Sequence, residues 1–214
     1  ASGKGHFALP AGATDWQFRG VDLRFGRTHV ELNGGLGARR DLTFAIDAED
    51  LSLIDPEARG RLNARGRLAG TEAAPVLLFK ARGSEFEWRG NTLASLEADV
   101  DIDVAAGRRA QGKVDLHTLK VAGRTAQKIS LELSGSTDAQ RIVATMEAAP
   151  LRSAFTAEGV VSGGQWQGSV TRMSTEDASN LSLRLVEPAP LRFSAREAVL
   201  EGLCLTGMAE RFCA

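Results

Sequence analysis

The chain has no tyrosine, only nine phenylalanines and three tryptophans, and no run of about 18 apolar residues. The missing apolar run excludes a membrane-spanning helix within these 214 residues. The 26 lysines and arginines are balanced by 27 acidic residues and are spread along the chain, so no basic patch indicates a nucleic-acid partner. The hydrophobic share of 43% is typical of a folded chain.

Motifs of catalysis are missing as well. There is no G-x-S-x-G nucleophile motif, and the glycines around Lys4 lack the full phosphate-loop pattern. The histidines at His6, His29 and His117 are far apart in the sequence, and none stands at metal-ligand spacing. We therefore predict no catalytic residue, no metal ligand and no cofactor, and we expect that the chain is not an enzyme.

Almost unbroken alternation is present between positions 93 and 104. A period of two places apolar side chains on one face of a strand and carboxylates on the other. The carboxylates favour a solvated outer face, although a calcium site or a glycosidase-like pair is also conceivable. The acidic parity holds Glu97, Asp99, Asp101 and Asp103.

The same period returns along most of the chain. A sheet with one continuous apolar face must bury that face against something. We interpret the apolar parity as the lining of an interior, and Trp166 as either a core aromatic or part of a groove wall. The candidate lining residues are Leu42, Phe44, Ile46, Leu77, Phe79, Leu96, Val100, Ile102, Val104, Val114, Leu116, Ile129, Leu131, Leu133, Ile142, Met146, Trp166, Val170, Leu181, Leu183 and Leu185.

Turn signals follow one another every 8 to 15 residues, as in a meander of antiparallel hairpins. The sequence thus predicts an all-β fold with one long antiparallel sheet. Leu51 and Leu53 change parity, which indicates a bulge or bend near Asp50. Residues 194–197 could cap a helix, but the alternation into them favours a strand. The turn signals are Gly26-Arg27, Asn33-Gly34-Gly35, Gly90-Asn91, Ala106-Gly107, Gly123-Arg124, Ser134-Gly135 and Gly163-Gly164.

The two cysteines, Cys204 and Cys213, lie within the last dozen residues. Their spacing suits a small disulfide loop over 204–213, which would indicate an oxidising compartment; two unrelated reduced thiols are the alternative. The first residues carry no signal-peptide pattern, and we interpret them as a cut within a longer protein. We expect residues 1–214 to form a single β-rich segment of that protein.

Three stretches show a shared order of glycine-led strands. Each is weak by itself, because glycine-rich strand patterns occur in many β proteins. Their order and spacing along most of the chain carry the resemblance. They are Leu51 to Leu62 with Arg65 to Thr71 and Pro75; Glu158-Gly159 with Gly164 to Gly168 around Trp166; and Pro190-Leu191 followed by Cys204 and Cys213.

Together these stretches resemble the TamB family, the AsmA-like β-rich proteins of the periplasm, and they look like an interior segment. The resemblance implies a sheet folded lengthwise into a trough with an apolar interior, a β-taco. It implies a protein anchored in the inner membrane of a Gram-negative bacterium, working with a TamA-like outer-membrane partner through other parts of the chain. It further implies lipid transport between the membranes and support of outer-membrane protein assembly and secretion, by a monomer that binds phospholipid.

Three functions compete at this point. The apolar interior could conduct phospholipid, or the sheet could be a scaffold that receives outer-membrane β-strands by strand addition. An enzyme or adhesin with a side-chain-filled core is the third. Many alanines and glycines and few aromatics on the apolar parity favour an unfilled interior.

Overall fold

The all-β prediction is confirmed by the computed structural model. Most described residues lie in strands, and a 3-10 helix occupies Leu51–Leu53. Within the described part of the chain, no helix has the length and apolar character that crossing a membrane requires. The structure describes residues 2–8, 16–53, 55–71, 74–103, 109–136, 138–162, 165–178, 182–194, 197–207 and 210–213.

The strands are long in the middle of the chain and short near its C-terminal part. Their bounds are β1 Ser2–Ala8, β2 Trp16–Phe25, β3 Thr28–Leu36, β4 Arg40–Ala48, β5 Ala58–Gly70, β6 Pro75–Trp88, β7 Asn91–Asp103, β8 Arg109–Val121, β9 Arg124–Ser136, β10 Ala139–Ala148, β11 Leu151–Ser162, β12 Gln165–Glu176, β13 Ser182–Leu185, β14 Ala189–Phe193, β15 Ala198–Leu200, β16 Cys204–Gly207 and β17 Glu210–Cys213.

Consecutive strands pair antiparallel from β1 to β12, so this part of the sheet is a meander. The order then branches, because β12 pairs with β13 near one end and with β14 along the rest. β13 continues to β16 and β17, and β14 continues to β15. The 17 strands form one open, trough-like sheet, as predicted.

The two faces of the sheet differ because the sequence alternates. On β5, Arg61 and Arg65 are exposed, whereas Leu62 and Ala64 between and beside them are covered. The same alternation on β7 covers Ala98 and exposes Glu97. We call the apolar side the inner face and the charged side the outer face.

A line of ladder irregularities, which we call the crease, crosses β5 to β9 at Gly60, Glu85, Ala94, Thr118 and Gln127. The register between β5 and β6 shifts at Gly60, and the next three ladders leave the other four residues unpaired. Glu85 and Thr118 have positive φ values of 58° and 52°, which non-glycine residues rarely adopt. Because such irregularities bend strands, the aligned positions bend neighbouring strands together.

The crease also reverses the parity of the strands. Beyond it, Phe86, Leu93, Leu119 and Ala126 form a register-matched row across β6 to β9. The Phe86 ring lies over Gly83, so that a Cβ at Gly83 would come within 2.6 Å of Phe86 Cε2. The row therefore shares the inner face, although its residues have the opposite parity in the sequence.

Three sequence predictions about connections are wrong. The predicted turn at Ser134-Gly135 lies inside β9, where Gly135 pairs with Gln140 of β10. The Asn33-Gly34-Gly35 turn lies inside β3, and the chain turns after Leu36 instead. Gly34 has a φ of 111° and pairs with Leu42 at close approach. A glycine is therefore needed here for the conformation and the packing of β3, not for a turn. Leu51 and Leu53 belong to the 3-10 helix, not to a bulged strand.

The C-terminal part of the sheet contains the predicted disulfide. Cys204 and Cys213 are cross-strand partners on β16 and β17, and their sulfurs are bonded. Cys204 is buried and Cys213 is exposed. The strand interpretation after residue 197 is also confirmed, since β15 pairs with β14.

Candidate functional site

The candidate site is the inner face, where apolar residues of successive strands stand directly opposite one another. Cross-strand partners have Cβ atoms about 5 Å apart, so an aligned series forms a continuous row. The central row has three alanines at its middle, and larger apolar residues pack against them. We call it the alanine row, and it consists of Val30, Ile46, Ala64, Ala81, Ala98, Val114, Leu131, Ala144, Phe155 and Met173.

Parallel rows flank the alanine row on both sides, two residues away along each strand. They gather most of the candidate lining residues onto one surface. One flank contains Leu32, Phe44, Gly66, Phe79, Val100, Gly112, Leu133, Ile142, Ala157, Val170 and Ala189, and beyond it lie Leu42, Leu68, Leu77, Ile102 and Ala110. The other flank contains Ala48, Leu62, Gly83, Leu96, Leu116, Ile129, Met146, Ser153, Thr175 and Leu183.

Four candidate lining residues are not among these rows, and one of them, Trp166, is described below. Leu185 ends β13 opposite Leu205 of β16, beyond the main rows. Val104 and Leu181 lie outside the described residues. The sequence analysis missed Leu32, Leu62 and Phe86, although Leu32 and Leu62 follow the same period and could have been included from it.

Apart from Trp166, most large side chains on the inner face are only partly covered. Leu131 keeps 42% of its surface exposed and Met146 keeps 37%. The residues buried on this face are mostly small, so bulky side chains do not fill the space above the sheet. The buried alanines of the inner face are Ala48, Ala64, Ala81, Ala98, Ala110, Ala157 and Ala189.

Glycines allow aromatic rings to lie flat on the inner face. The rings of Phe44 and Phe79 approach within 6.1 Å between centroids on either side of Gly66. A Cβ at Gly66 would stand 2.7 Å from Phe44 Cζ, so only glycine leaves room for this ring. The sheet surface there is thus made of aromatic faces and backbone.

Trp166 is the most covered aromatic side chain of the described residues, with 4% exposure. It lies over Gly159 and Gly168, and it stacks on Phe193 with 5.0 Å between ring centroids. Its indole N–H has no hydrogen-bond partner among the described residues. The structure therefore places Trp166 on the apolar side, as its parity predicted, within a packed stack.

The acidic residues of β7 pair with cations of neighbouring strands on the outer face. Lys80 Nζ lies 2.8 Å from Asp99 Oδ2, and Arg109 Nη2 lies 3.0 Å from Asp101 Oδ2. Glu97 and Asp99 are exposed, whereas Asp101 and Asp103 are half-buried. Cross-strand charge pairing thus accounts for the acidic alternation.

Asp115 is a largely covered carboxylate on the outer face, with 19% of its side chain exposed. Asp115 accepts a hydrogen bond of 2.6 Å from Ser130 Oγ on β9, and Lys113 Nζ lies 3.5 Å away. The Ser130 hydrogen bond and then the Lys113 charge lower the pKa of Asp115. Glu132 raises the pKa of Lys113 on the same surface.

Comparison with known proteins gives one relative and one family. The curated "Uncharacterized protein BU087" of Buchnera aphidicola subsp. Acyrthosiphon pisum (strain APS) is 22% identical over 102 residues, which is 48% of this chain and 10% of that protein. The matched part is therefore about a tenth of that relative's length. No solved structure matches the chain.

The family comparison covers the chain far more completely than the match to this relative does. The family model described as the TamB N-terminal domain matches residues 2–214, a range that includes all strands from β1 to β17. The chain therefore belongs to the TamB family.

Proposed function

We propose that the inner face is a groove that conducts phospholipid between the inner and outer membranes. In this proposal the chain is a periplasmic part of a protein anchored in the inner membrane, and a TamA-like protein receives it at the outer membrane. The transport also supports assembly of outer-membrane proteins. Membership of the TamB family supports a role in envelope biogenesis.

The observation that carries the proposal is the combination of continuity and incomplete burial. The alanine row crosses ten consecutive strands, β3 to β12, without a charged residue, yet Leu131 within it remains 42% exposed. An enzyme or adhesin with a filled core would bury such leucines. A surface that must accept acyl chains would leave them accessible.

Transfer energies make such a surface suitable for lipid movement. Each methylene of an acyl chain gains about 0.8 kcal/mol when it leaves water, so a lipid crossing the periplasm needs apolar cover throughout. Apolar contacts lack direction, and a row without charged groups therefore offers no fixed stopping point. The proposed groove favours sliding over tight binding at one position.

A scaffold for outer-membrane β-strands is the second candidate, and the open sheet favours it. β17 pairs with β16, and a strand at the end of an open sheet can offer its backbone groups to another chain. In this case the sheet edge, rather than the inner face, would contact the substrate. The two candidates therefore differ in where crosslinks form.

Photo-crosslinking distinguishes the candidates. A photoreactive residue replaces Leu131, Ala144 or Met146 on the inner face of the full-length protein in cells, and matched probes replace Ser130, Thr145 or Glu147 on the outer face. We expect phospholipid adducts from the inner set and none from the outer set. A folded protein without lipid adducts at any inner position would contradict the lipid groove, and protein adducts confined to β17 would support the scaffold.

A further inference from the structure

A cluster of three metal-ligating side chains lies on the outer face of β2 and β3, away from the proposed groove. Asp22 stands directly opposite Glu31, and His29 stands opposite Arg24, one position along the same face. His29 Nε2 lies 2.9 Å from Asp22 Oδ1 and 3.4 Å from Glu31 Oε1. The ligand atoms of all three residues lie within 4.8 Å of one another.

We propose that Asp22, His29 and Glu31 bind one divalent zinc ion. Zinc bonds to imidazole nitrogen and carboxylate oxygen at about 2.0 Å, and the edges of a tetrahedron with such bonds are about 3.3 Å long. The two distances from His29 Nε2 fall on either side of this value. One imidazole with two carboxylates is a ligand set that suits zinc, whereas calcium and magnesium prefer sites made of oxygen ligands alone.

Space for the remaining coordination position lies beside the cluster. The register of β2 and β3 shifts between Phe18 and Val21, where Gly20 has a φ of 55°. A cavity of about 350 Å³ has Asp22 and Glu31 on its wall. A water molecule can therefore complete a four-coordinate ion from the cavity.

The charges around the cluster permit a cation. Arg24 contacts Asp22 at 3.2 Å, but its side chain is 61% exposed, and an exposed pair of this kind stabilises little. Lys4 faces Asp22 from β1, and Asp47 faces His29 from β4.

Zinc binding to the chain, stripped of metal with EDTA and desalted, tests the proposal. We expect equilibrium dialysis against zinc chloride to give one equivalent more in the parent than in His29→Gln or Glu31→Gln. The affinity should fall about tenfold or more in either variant, since each loses one of three protein ligands. His117→Gln is the matched control, because His117 is an exposed outer-face histidine without such neighbours among the described residues.

A second measurement keeps the result independent of folding. Zinc should raise the midpoint of thermal unfolding of the parent and of His117→Gln but not of His29→Gln, and calcium should raise none of them. Equal zinc binding by the parent and a folded His29→Gln variant would overturn the proposal. The proposal would also be overturned if His117→Gln lost as much zinc binding as His29→Gln.

Discussion

Trp166 and Phe193 stack across β12 and β14, with 5.0 Å between ring centroids and 15° between ring planes. The Trp166 ring lies over two facing glycines, Gly159 and Gly168, and is the most covered aromatic ring of the described residues, whereas Phe193 keeps 36% of its surface exposed. Its position at the branch of the sheet joins the long meander to the short C-terminal strands. Two predictions follow from the fit between these rings and the glycines.

Removing the Trp166 ring is expected to destabilise the sheet. Trp166→Ala should lower the free energy of unfolding by about 3 kcal/mol or more, because a large buried side chain leaves a cavity. Trp88→Ala is the control, since Trp88 is 48% exposed at a hairpin end. Urea unfolding followed by circular dichroism measures both variants, and equal losses would contradict the packed position of Trp166.

A methyl group beneath the same ring is also expected to destabilise. Gly168→Ala places a Cβ 2.6 Å from Gly159 Cα and 2.7 Å from Trp166 Cη2, so it should lower the free energy of unfolding by about 1–3 kcal/mol. Gly112→Ala meets Val100 only at 3.5 Å, an ordinary contact, and should be neutral or stabilising. Denaturant titration compares them, and a Gly168→Ala protein as stable as Gly112→Ala would refute the close approach.

The β8–β9 hairpin contains an alanine in an unfavourable conformation. Ala122 has a φ of 48° and precedes Gly123 with a φ of 77°, the pattern of a type I′ turn, which favours Asn-Gly. Ala122→Asn should therefore raise the free energy of unfolding by about 0.5–1 kcal/mol. Ala139→Asn, at an exposed strand end, should bring no gain in the same thermal-unfolding measurement. A gain in both variants, or in neither, would contradict the turn assignment.

The pair of Asp115 and Ser130 gives the stability a pH dependence. The hydrogen bond from Ser130 lowers the folded-state pKa of Asp115 below its unfolded value of about 3.9. Its contribution is therefore present above the unfolded pKa and is lost as the pH falls through the lower folded pKa. Unfolding measured from pH 5 downward should show a shallower decline in Ser130→Ala than in the parent. An unchanged slope would contradict the role of this hydrogen bond.

Much of the sheet could be predicted from the sequence, because alternating apolar and polar residues indicate strands with one covered face and one solvated face. Leu96, Ala98, Val100 and Ile102 were predicted to share a face, and the ladders place all four on the inner rows. Their lipid contact stays a prediction. Alternation indicates which residues share a face, but it contains no information about what covers that face.

The crease could not be predicted, because it depends on how neighbouring strands align. Glu85 and Thr118 adopt positive φ although neither is glycine, so no residue type marks the parity change. Leu93 and Leu119 therefore have the opposite sequence parity to Leu96 and Leu116, although all four lie on the inner face. Only the common position of the irregularities on adjacent strands shows that they form one bend.

The Asp22 and His29 cluster was missed for a different reason. Metal-binding motifs are recognised from spacings along one chain segment, whereas these side chains meet across the β2–β3 hairpin. The Gly26-Arg27 turn pairs Phe25 with Thr28, and counting outward from it places Asp22 opposite Glu31. The sequence predicts that turn, so the pairing of Asp22 with Glu31 could have been inferred from it.

The central claim, an open apolar face that accommodates lipid, is tested most directly by the amount of phospholipid that copurifies with the full-length protein. Leu131→Arg places a charge in the alanine row at an already exposed position, so the sheet should still fold. The amount of bound lipid should fall about tenfold, which corresponds to a loss of about 1.4 kcal/mol in binding free energy.

Thr145→Arg, on the exposed outer face of the neighbouring strand, is the control and should retain the parent's lipid. Mass spectrometry of extracted lipid, with circular dichroism of each protein, makes the comparison. The account predicts lipid in the parent and Thr145→Arg and little in a folded Leu131→Arg. Equal lipid in all three proteins, or none in the parent, would contradict it.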